Sequence, residues 1–475
     1  MNSAWRVILS STRLNSSGEV DSMTFVTLVY PYFKPRGDNS IFRFPPIGLG
    51  YIAAYLKQNG VSVDLVDCTF LTKEKALERI RASKPKIIGI QSMFSMKAQS
   101  LELAGLLKED CEMLVAGGPL PTTNPDAFLR EFDVAVNGEG EQTMLDLVNV
   151  AENDVDLSKV RGITYRDNMG QVKCAPKRNL IADLDTLPFP SREMFDNQSY
   201  KDFYKKKFGY TTTAVMTSRG CPFECDFCSR PIFGSAFRAR TASNVADEIE
   251  RVRSLGYERV WFADDCFTLN RQRLIEICDE LIRRNLRIGW ECLSRVDTLD
   301  SELVAKMKQA GCLRMFFGIE SGNNSILQIM NKRITIKQAE DAVHLCKKEG
   351  VQAGAFFILG YPGEDEKTVS DTVRFASSLP LDYLSFTLPY PIPGTPLFER
   401  VREEMFLEEW EEPKNLKLLK HKLLFDSRLS ESKLQFAIVK GMVQFYIRKY
   451  LGNRGYMLTG IFFETLTDSI YGLIR

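Results

Sequence analysis

Three cysteines stand close together in "SRGCPFECDFCSR", residues 218–230, with the spacing Cys-x3-Cys-x2-Cys. Thiolates bind zinc and iron–sulfur clusters, and four of them close either kind of structural site. The three thiolates of Cys221, Cys225 and Cys228 leave one metal vertex without a protein ligand, as catalytic metal sites do. The spacing therefore favours a 4Fe–4S cluster in which one iron is open to substrate.

The alternative is a zinc site completed by a distant ligand. Only two histidines are present, His344 and His421, and neither lies beside a second pair of cysteines. The other eight cysteines stand singly, mostly next to apolar residues, which is typical of small buried side chains. No partner that would complete a zinc site is therefore evident.

Composition narrows the class of protein. The chain has 475 residues, enough for two or three domains, and its 62 Lys+Arg against 61 Asp+Glu give a net charge of +1. This balance argues against a general nucleic-acid binder or a cation store. Residues 1–22 lack the apolar core of a secretory signal, and no apolar run approaches the roughly 20 residues of a membrane span. We therefore expect a cytoplasmic protein with no transmembrane segment.

The first half of the chain alternates short apolar runs with helical patterns. Strands are predicted at 24–31, 61–67, 86–92 and 112–118, with helices between them, and "VNGEGEQ" follows a fifth short strand. This alternation predicts an α/β domain with a doubly wound, Rossmann-like parallel sheet. Ligands of such sheets bind at the carboxyl ends of the strands, which here carry "QSMFSM", "GGPLPTTNP" and "NGEGE".

A second alternation begins at residue 211, after a predicted hairpin and a proline-punctuated linker. Six strands separated by helices predict a partial (β/α)6 TIM barrel. The expected organisation is an N-terminal extension at 1–22, a Rossmann-like domain at 23–150, a hairpin and linker at 151–210, the partial barrel at 211–397 and a helical C-terminal region at 398–475.

The cysteine motif at the end of the first barrel strand, "CPFECDFC", resembles the signature of the radical S-adenosylmethionine (SAM) superfamily. Phe227 fills the aromatic position before the last cysteine. The resemblance implies that the open iron chelates the amino and carboxylate groups of SAM. An electron from a reductant such as ferredoxin or flavodoxin then cleaves SAM to a 5′-deoxyadenosyl radical.

The same resemblance suggests SAM contacts at later strand ends. Asp264 and Asp265 of "FADD" would meet the ammonium group of SAM, although the family's Gly-Gly-Glu segment is not literally present. Arg295 would bind the carboxylate, Glu320 a ribose hydroxyl and Gly360 the adenine. A surface ion pair is the alternative reading of Arg295.

The front domain resembles that of the cobalamin-binding radical SAM subfamily in "PPIGLGYIAAYL", "AGGPLPTTNPDAF" and "VNGEGEQT". The resemblance implies a cobalamin site; the alternative is that its glycines only make tight turns. The domain contains no histidine, so bound cobalamin would be base-off and without a histidine as lower ligand. A vestigial domain that binds no cobalamin is also compatible. The implied cobalamin-binding residues are Gly117, Gly118, Pro119, Gly138, Glu139 and Gly140.

These features favour a radical SAM enzyme that uses cobalamin to methylate an unactivated carbon of a protein side chain, a lipid or a small molecule. The overall form resembles archaeal glutamine C-methyltransferases that act on methyl-coenzyme M reductase. Alternatives with the same cofactors are an anaerobic radical cyclase or a carbon–carbon coupling enzyme of lipid or tetrapyrrole biosynthesis. A non-catalytic cobalamin or SAM sensor is a further alternative.

The cluster assignment is tested by replacing Cys221, Cys225 and Cys228 together with alanine. Anaerobic reconstitution of the unmodified chain should incorporate about four irons per chain. The triple variant should lose that iron together with its broad visible absorbance. Iron analysis measures the outcome, and a variant that keeps a full cluster and cleaves SAM would disprove the assignment.

Overall fold

The computed structural model describes residues 25–34, 40–153, 155–167, 169–229, 232–405 and 423–455. The predicted extension at 1–22 and parts of the C-terminal region lie outside this range. The first half comprises β1 (Val26–Tyr30), α1 (Ile47–Gln58), β2 (Val63–Asp67), α2 (Lys73–Ala82), β3 (Ile87–Gln91), α3 (Lys97–Leu107), β4 (Met113–Gly117), α4 (Pro119–Thr123), β5 (Val134–Val136), α5 (Glu141–Asn153), β6 (Ile163–Arg166) and β7 (Val172–Cys174).

The front sheet has the strand order β2-β1-β3-β4-β5-β6-β7. Strands β1 to β5 run parallel, and their Val-, Ile- and Leu-rich sequences are buried on both faces by the intervening helices. This arrangement confirms the predicted doubly wound sheet. The predicted hairpin, β6–β7, pairs antiparallel with the edge of the same sheet. The order reverses between β1 and β3, which opens a crevice at their carboxyl ends.

The second half comprises α6 (Asn197–Phe208), β8 (Thr212–Val215), β9 (Ser218–Arg219), β10 (Arg238–Ala239), α7 (Ala242–Ser254), β11 (Arg259–Phe262), α8 (Arg271–Arg283), β12 (Gly289–Ser294), α9 (Ser301–Gln309), β13 (Cys312–Glu320), α10 (Asn324–Ile329), α11 (Ile336–Lys348), β14 (Gln352–Ile358), α12 (Glu366–Ser378), β15 (Tyr383–Thr387), α13 (Pro396–Val401) and α14 (Glu431–Gly455). Six of these strands form one parallel sheet in the order β8-β11-β12-β13-β14-β15, so the predicted partial barrel is confirmed.

The bore of the partial barrel is filled by aromatic rings from both halves of the chain. Phe42, which precedes α1 of the front domain, lies with its ring centroid 5.1 Å from that of Trp261 and 5.5 Å from that of Phe316. It also contacts Tyr383 at the edge of the barrel, with a centroid distance of 6.4 Å. Phe44 stacks on Trp261 as well. The two halves of the chain therefore share an apolar core.

Helix α14 supplies the helix of the sixth barrel unit. It packs beside α12 and against β15. Near its start Leu434 lies against Gly360 at the end of β14, and near its end Lys449 donates a hydrogen bond to the carbonyl of Asp382, just before β15. Among the helices that the structure describes, none has the length and hydropathy needed to cross a membrane.

A buried ion cluster fixes the linker to the start of the barrel. Glu248 of α7 is fully buried and accepts a 2.5 Å hydrogen bond from Arg192 of the linker, and it also binds Arg240. Arg192 donates a second bond to the carbonyl of Ala214 in β8. Burial disfavours the charge of Glu248, but the two arginines outweigh burial and lower its pKa.

Glu248→Gln should lower the free energy of unfolding by about 3–5 kcal/mol, because two buried guanidinium groups lose their counter-ion. Glu250→Gln is the matched control on the same helix, since Glu250 is half exposed and 3.8 Å from Arg284. It should cost less than about 0.5 kcal/mol. Urea denaturation measures both values.

Because the pKa of Glu248 is lowered, the difference in free energy of unfolding between the wild type and Glu248→Gln depends on pH. A carboxyl group with a depressed pKa stabilises the fold above its unfolded value of about 4.3, and loses that contribution as pH falls through the folded pKa. The difference between the wild type and Glu248→Gln should therefore be full at neutral pH and shrink below about pH 4. Equal sensitivity of the Glu250→Gln control would contradict the assignment.

Candidate functional site

A cleft lies where the carboxyl ends of the front strands face the mouth of the barrel. It encloses about 1120 Å³ of space, open solvent included, and its walls are mostly apolar. All six residues predicted to bind cobalamin line it. The front domain also contributes Gly48, Gly89 and Gln91, and the barrel half contributes Met216, Arg219, Ser229, Phe233 and Asp265.

The glycines of this cleft serve two purposes. A Cβ atom at Gly48 or Gly117 would meet no other atom within 4 Å, so the missing side chains leave room inside the cleft. Gly118 has a φ of 102°, and a Cβ there would lie 2.8 Å from the carbonyl oxygen of Ser92; at Gly140 it would lie 2.8 Å from Ile52. The free space at Gly48 and Gly117 and the close packing at Gly118 and Gly140 together fit a bulky corrinoid. Making tight turns is therefore not the only use of these glycines.

Glu139 has a structural role that the sequence did not reveal. Its buried carboxylate accepts 2.8 Å hydrogen bonds from Arg219, from Arg238 and from the backbone N–H of Ile181. Arg219 donates in addition to Glu141 at 2.6 Å. Burial opposes the charge of Glu139, but the arginines lower its pKa. This cluster of Glu139, Glu141, Arg219 and Arg238 holds the front domain against the barrel and forms part of the cleft wall.

The cysteine loop follows Arg219 directly. Gly220 has a φ of 87°, and a Cβ there would lie 2.2 Å from the carbonyl oxygen of Ala236, so only glycine fits. Asp226 in the middle of the loop binds Arg400 at 2.6 Å. Phe227 packs its ring against Tyr361, with a centroid distance of 6.3 Å. These contacts hold the loop at the ends of the barrel strands.

The three thiols of this loop are half-buried and unbonded to one another. Burial raises the pKa of the Cys221 thiol, and the positive charge of Arg295 partly opposes that rise. Burial opposes the charge of Lys332, but Glu320 and the nearby Cys225 raise its pKa. Within the described residues no three His, Cys, Asp or Glu side chains converge on a single metal ion. A cluster places its cysteine ligands on different irons, so convergence on one ion is not required. The thiols and neighbouring cations fit a cluster ligated by three thiolates.

Asp264 and Asp265 are adjacent in sequence but differ in environment. Asp264 is 1% exposed and accepts hydrogen bonds from the Thr217 N–H at 2.6 Å, the Thr217 hydroxyl at 2.5 Å and the Ser218 hydroxyl at 2.6 Å. Its carboxylate therefore fixes the segment that leads into the cysteine loop. Asp265 is exposed to the cleft, and of the two it is the carboxylate that a ligand can reach.

Arg295 is also occupied by protein groups. Its Nε and Nη2 atoms bind Asp297 at 2.9 and 2.8 Å, and Nη2 donates to the carbonyl of Lys332. The guanidinium lies 3.6 Å from the ring centroid of Phe223 in the cysteine loop. The Arg295 side chain is 7% exposed and that of Asp297 21%, so this ion pair is mostly buried. Arg295 supports the cysteine loop, and its contact with SAM stays a prediction.

The last two predicted SAM contacts have protein partners of their own. Glu320 has a φ of 73° and forms a buried 3.0 Å ion pair with Lys332. Lys332 was not among the site residues predicted from the sequence. Burial opposes the charge of Lys332, but Glu320 raises its pKa. The Gly360 N–H donates to Glu364 at 2.6 Å, and a Cβ on Gly360 would lie 2.5 Å from Leu434. Roles in binding ribose and adenine stay predictions.

Comparison with known proteins covers both halves of the chain. Residues 215–376 match the radical SAM superfamily and residues 35–148 match the B12 binding domain. An uncharacterised methyltransferase of Pyrococcus horikoshii is 36% identical over 364 residues, covering 75% of this chain and 78% of that protein. The anaerobic magnesium-protoporphyrin IX monomethyl ester cyclase of Rubrivivax gelatinosus is 30% identical over 403 residues, covering 81% and 71%.

A solved structure shares the fold of this chain. The radical S-adenosylmethionine methyltransferase TsrM from Kitasatospora setae, solved with cobalamin and a 4Fe–4S cluster, superimposes with a TM-score of 0.68 at 19% identity. The match covers 80% of this chain and 75% of TsrM. The order of front domain and barrel is thus common to both proteins.

The neighbouring aspartates provide a matched pair of variants. Asp264→Asn should lower the free energy of unfolding by about 3 kcal/mol and reduce iron content, because three hydrogen bonds to a buried carboxylate are disturbed. Asp265→Asn should leave stability within about 0.5 kcal/mol and iron content unchanged, while weakening SAM binding. Urea denaturation, iron analysis and calorimetric titration with SAM distinguish them. Identical behaviour of the two variants would refute the division of roles.

Proposed function

We propose that this chain methylates an unactivated carbon atom with the help of cobalamin. The chain belongs to the radical SAM superfamily, carries a B12-binding domain and is an enzyme. The observation that carries the proposal is the shared cleft. Its front wall consists of the glycine loops around Gly117 and Gly138, and its other wall includes Ser229 and Asp265 beside the cysteine loop. A substrate carbon placed there is within reach of both cofactor sites.

The two cofactors supply different chemistry when bound: the cluster with SAM generates a radical, and cobalamin serves methyl transfer. The protein supplies positions and exclusion of water. The thiols of the 221–228 loop would hold the cluster, and the glycine loops leave space for a corrinoid. The apolar walls, which include Leu49, Ile52 and Met144, keep water from a reactive carbon radical.

The absence of histidine from the front domain sets the expected state of the corrinoid. No imidazole of this domain is available to cobalt, so we expect a base-off form without a histidine ligand. The glycine loops around Gly117 and Gly138 would hold the corrinoid, which would supply the methyl group for transfer.

The similarity to a methyltransferase of Pyrococcus horikoshii supports methylation over the other uses of the same cofactors. As substrate we propose a protein side chain, such as a glutamine of methyl-coenzyme M reductase, or a small molecule. The reductant is proposed to be a ferredoxin or flavodoxin, and a cytoplasmic location stays a prediction.

An anaerobic radical cyclase is the second candidate. It is favoured by the 30% identity to the Rubrivivax gelatinosus cyclase, which extends over 81% of this chain. A cyclase of this kind would use the same cleft but would leave the carbon count of its substrate unchanged.

Reconstituted protein loaded with hydroxocobalamin should be incubated anaerobically with dithionite and SAM carrying a deuterated methyl group. The source of substrate is an extract of cells that lack the gene. We expect 5′-deoxyadenosine and a product that carries the deuterated methyl group, both detected by mass spectrometry. The Cys221→Ala, Cys225→Ala, Cys228→Ala variant is the control and should give neither. A product with a new ring and no label would establish the cyclase instead.

A further inference from the structure

Helix α14 carries apolar side chains on the face that points away from the barrel. Val439, Val443, Tyr446 and Tyr450 follow one another at intervals of four, three and four residues, so they form one stripe along the helix. Tyr446 is 46% exposed and Tyr450 75%, and their rings stack with a centroid distance of 6.0 Å. Val439 is exposed as well. We call these four residues the outer stripe.

The opposite face of α14 packs on the barrel. Ala437, Gly441 and Phe445 are buried there, and a Cβ on Gly441 would lie 2.8 Å from the ring of Phe386. The polar Gln444 is fully buried on the same side, where its carboxamide oxygen accepts a 3.3 Å hydrogen bond from a serine hydroxyl of α12. The outer stripe is therefore a second apolar face, separate from the one that the barrel covers.

Such a face is unusual for a helix at the surface of a protein, because the outward side of a surface helix normally carries polar side chains. Neighbouring α12 follows this rule, with Lys367 and Arg374 exposed on its outward side. Contiguous exposed apolar patches mark interaction sites. The outer stripe therefore has the character of an interaction surface.

A basic cavity lies beside the C-terminal end of the stripe. Lys347, Arg448 and Lys449 line it, and it encloses about 1460 Å³ of space, open solvent included. Asp382 is the one carboxylate in its described lining, and it already accepts a 2.9 Å hydrogen bond from a backbone N–H of β14. Positive charge therefore dominates this end of the stripe.

The size of the stripe decides between two kinds of occupant. From Val439 to Tyr450 it is about 17 Å long, and a helix is about 10 Å wide. A second copy of the chain would need roughly 800 Å² per partner for a stable interface, which is several times the area of such a strip. A membrane surface has no such requirement, and helices that lie on membranes combine an apolar face with Lys and Arg beside it.

We propose that the outer stripe and the basic cavity bind the surface of a membrane that contains anionic lipids. The rings of Tyr446 and Tyr450 enter the headgroup region, and the cations of the cavity attract lipid phosphates. The start of α14 lies at the carboxyl end of a barrel strand, where Leu434 contacts Gly360. A helix that lies flat on the bilayer therefore keeps this end of the barrel near the lipids.

Flotation of the full-length chain with vesicles tests the proposal. Vesicles of equal parts phosphatidylcholine and phosphatidylglycerol should bind the wild type, and phosphatidylcholine alone should bind it less. Tyr446→Ser together with Tyr450→Ser should weaken binding to the mixed vesicles by about tenfold or more, because the apolar contact is lost. Leu106→Ser together with Met169→Ser is the matched control, since both are exposed apolar residues of the front half, and it should change nothing.

The charged part is tested by Lys347→Gln together with Lys449→Gln. This variant should lose the preference for phosphatidylglycerol, and added salt should weaken binding of the wild type. A variant that keeps the preference would contradict the role of the cavity.

The remaining outcomes would each overturn the proposal. These are a wild type that floats with neither kind of vesicle, and a control variant that is weakened as much as the tyrosine variant. A wild-type dimer that the tyrosine variant converts to a monomer, without vesicle binding, would assign the stripe to a second copy. If circular dichroism shows that the tyrosine variant is unfolded, the stripe is packed within the chain itself.

Discussion

Glu139 is a carboxylate of the front domain buried among two arginines of the barrel half, and the relation between the glycine loops of the cleft and the cysteine loop depends on it. Removing a carboxylate and two guanidinium groups from water is costly, and the ion pairs and hydrogen bonds offset that cost only when all partners meet. A displaced front domain would leave these charges buried and unpaired. The cluster therefore selects one arrangement of the domains, and with it the width of the cleft.

The same cluster is connected to the cysteine loop through two peptide units. Arg219 binds Glu139 and Glu141, and Cys221 follows after a glycine whose conformation is imposed by contact with Ala236. Asp264 holds Thr217 and Ser218 on the other side of Arg219. The position of the first thiol is thus set jointly by the front domain and by a barrel strand. One short segment couples the glycine-lined wall of the cleft to the cysteine loop.

The fold and the cysteine site follow from local patterns, whereas the division of labour among the charged residues does not. Alternating strands and helices are properties of neighbouring residues, so the sequence sufficed to predict the fold. The spacing of the three cysteines is equally local, and their role as cluster ligands stays a prediction. Glu139 and Arg219 lie 80 residues apart, and their pairing depends on how two domains meet. Asp264 and Asp265 are identical in type, and only the direction of the chain after β11 sends one inward and the other into the cleft. The sequence signal that could have indicated the role of Arg219 is its position, two residues before Cys221.

The aromatic filling of the bore has a consequence for biosynthesis. Phe42 and Phe44 leave the ribosome with the front domain, but the barrel residues that cover them, ending with Tyr383, follow up to about 340 residues later. At about 5–20 residues per second this is an interval of roughly 17–70 s. Until the last of these rings arrives, the two phenylalanines of the nascent front domain are incompletely covered, and transiently exposed apolar surface favours aggregation. An architecture in which the first domain supplies core side chains of the second therefore increases the risk of aggregation while the barrel is being completed.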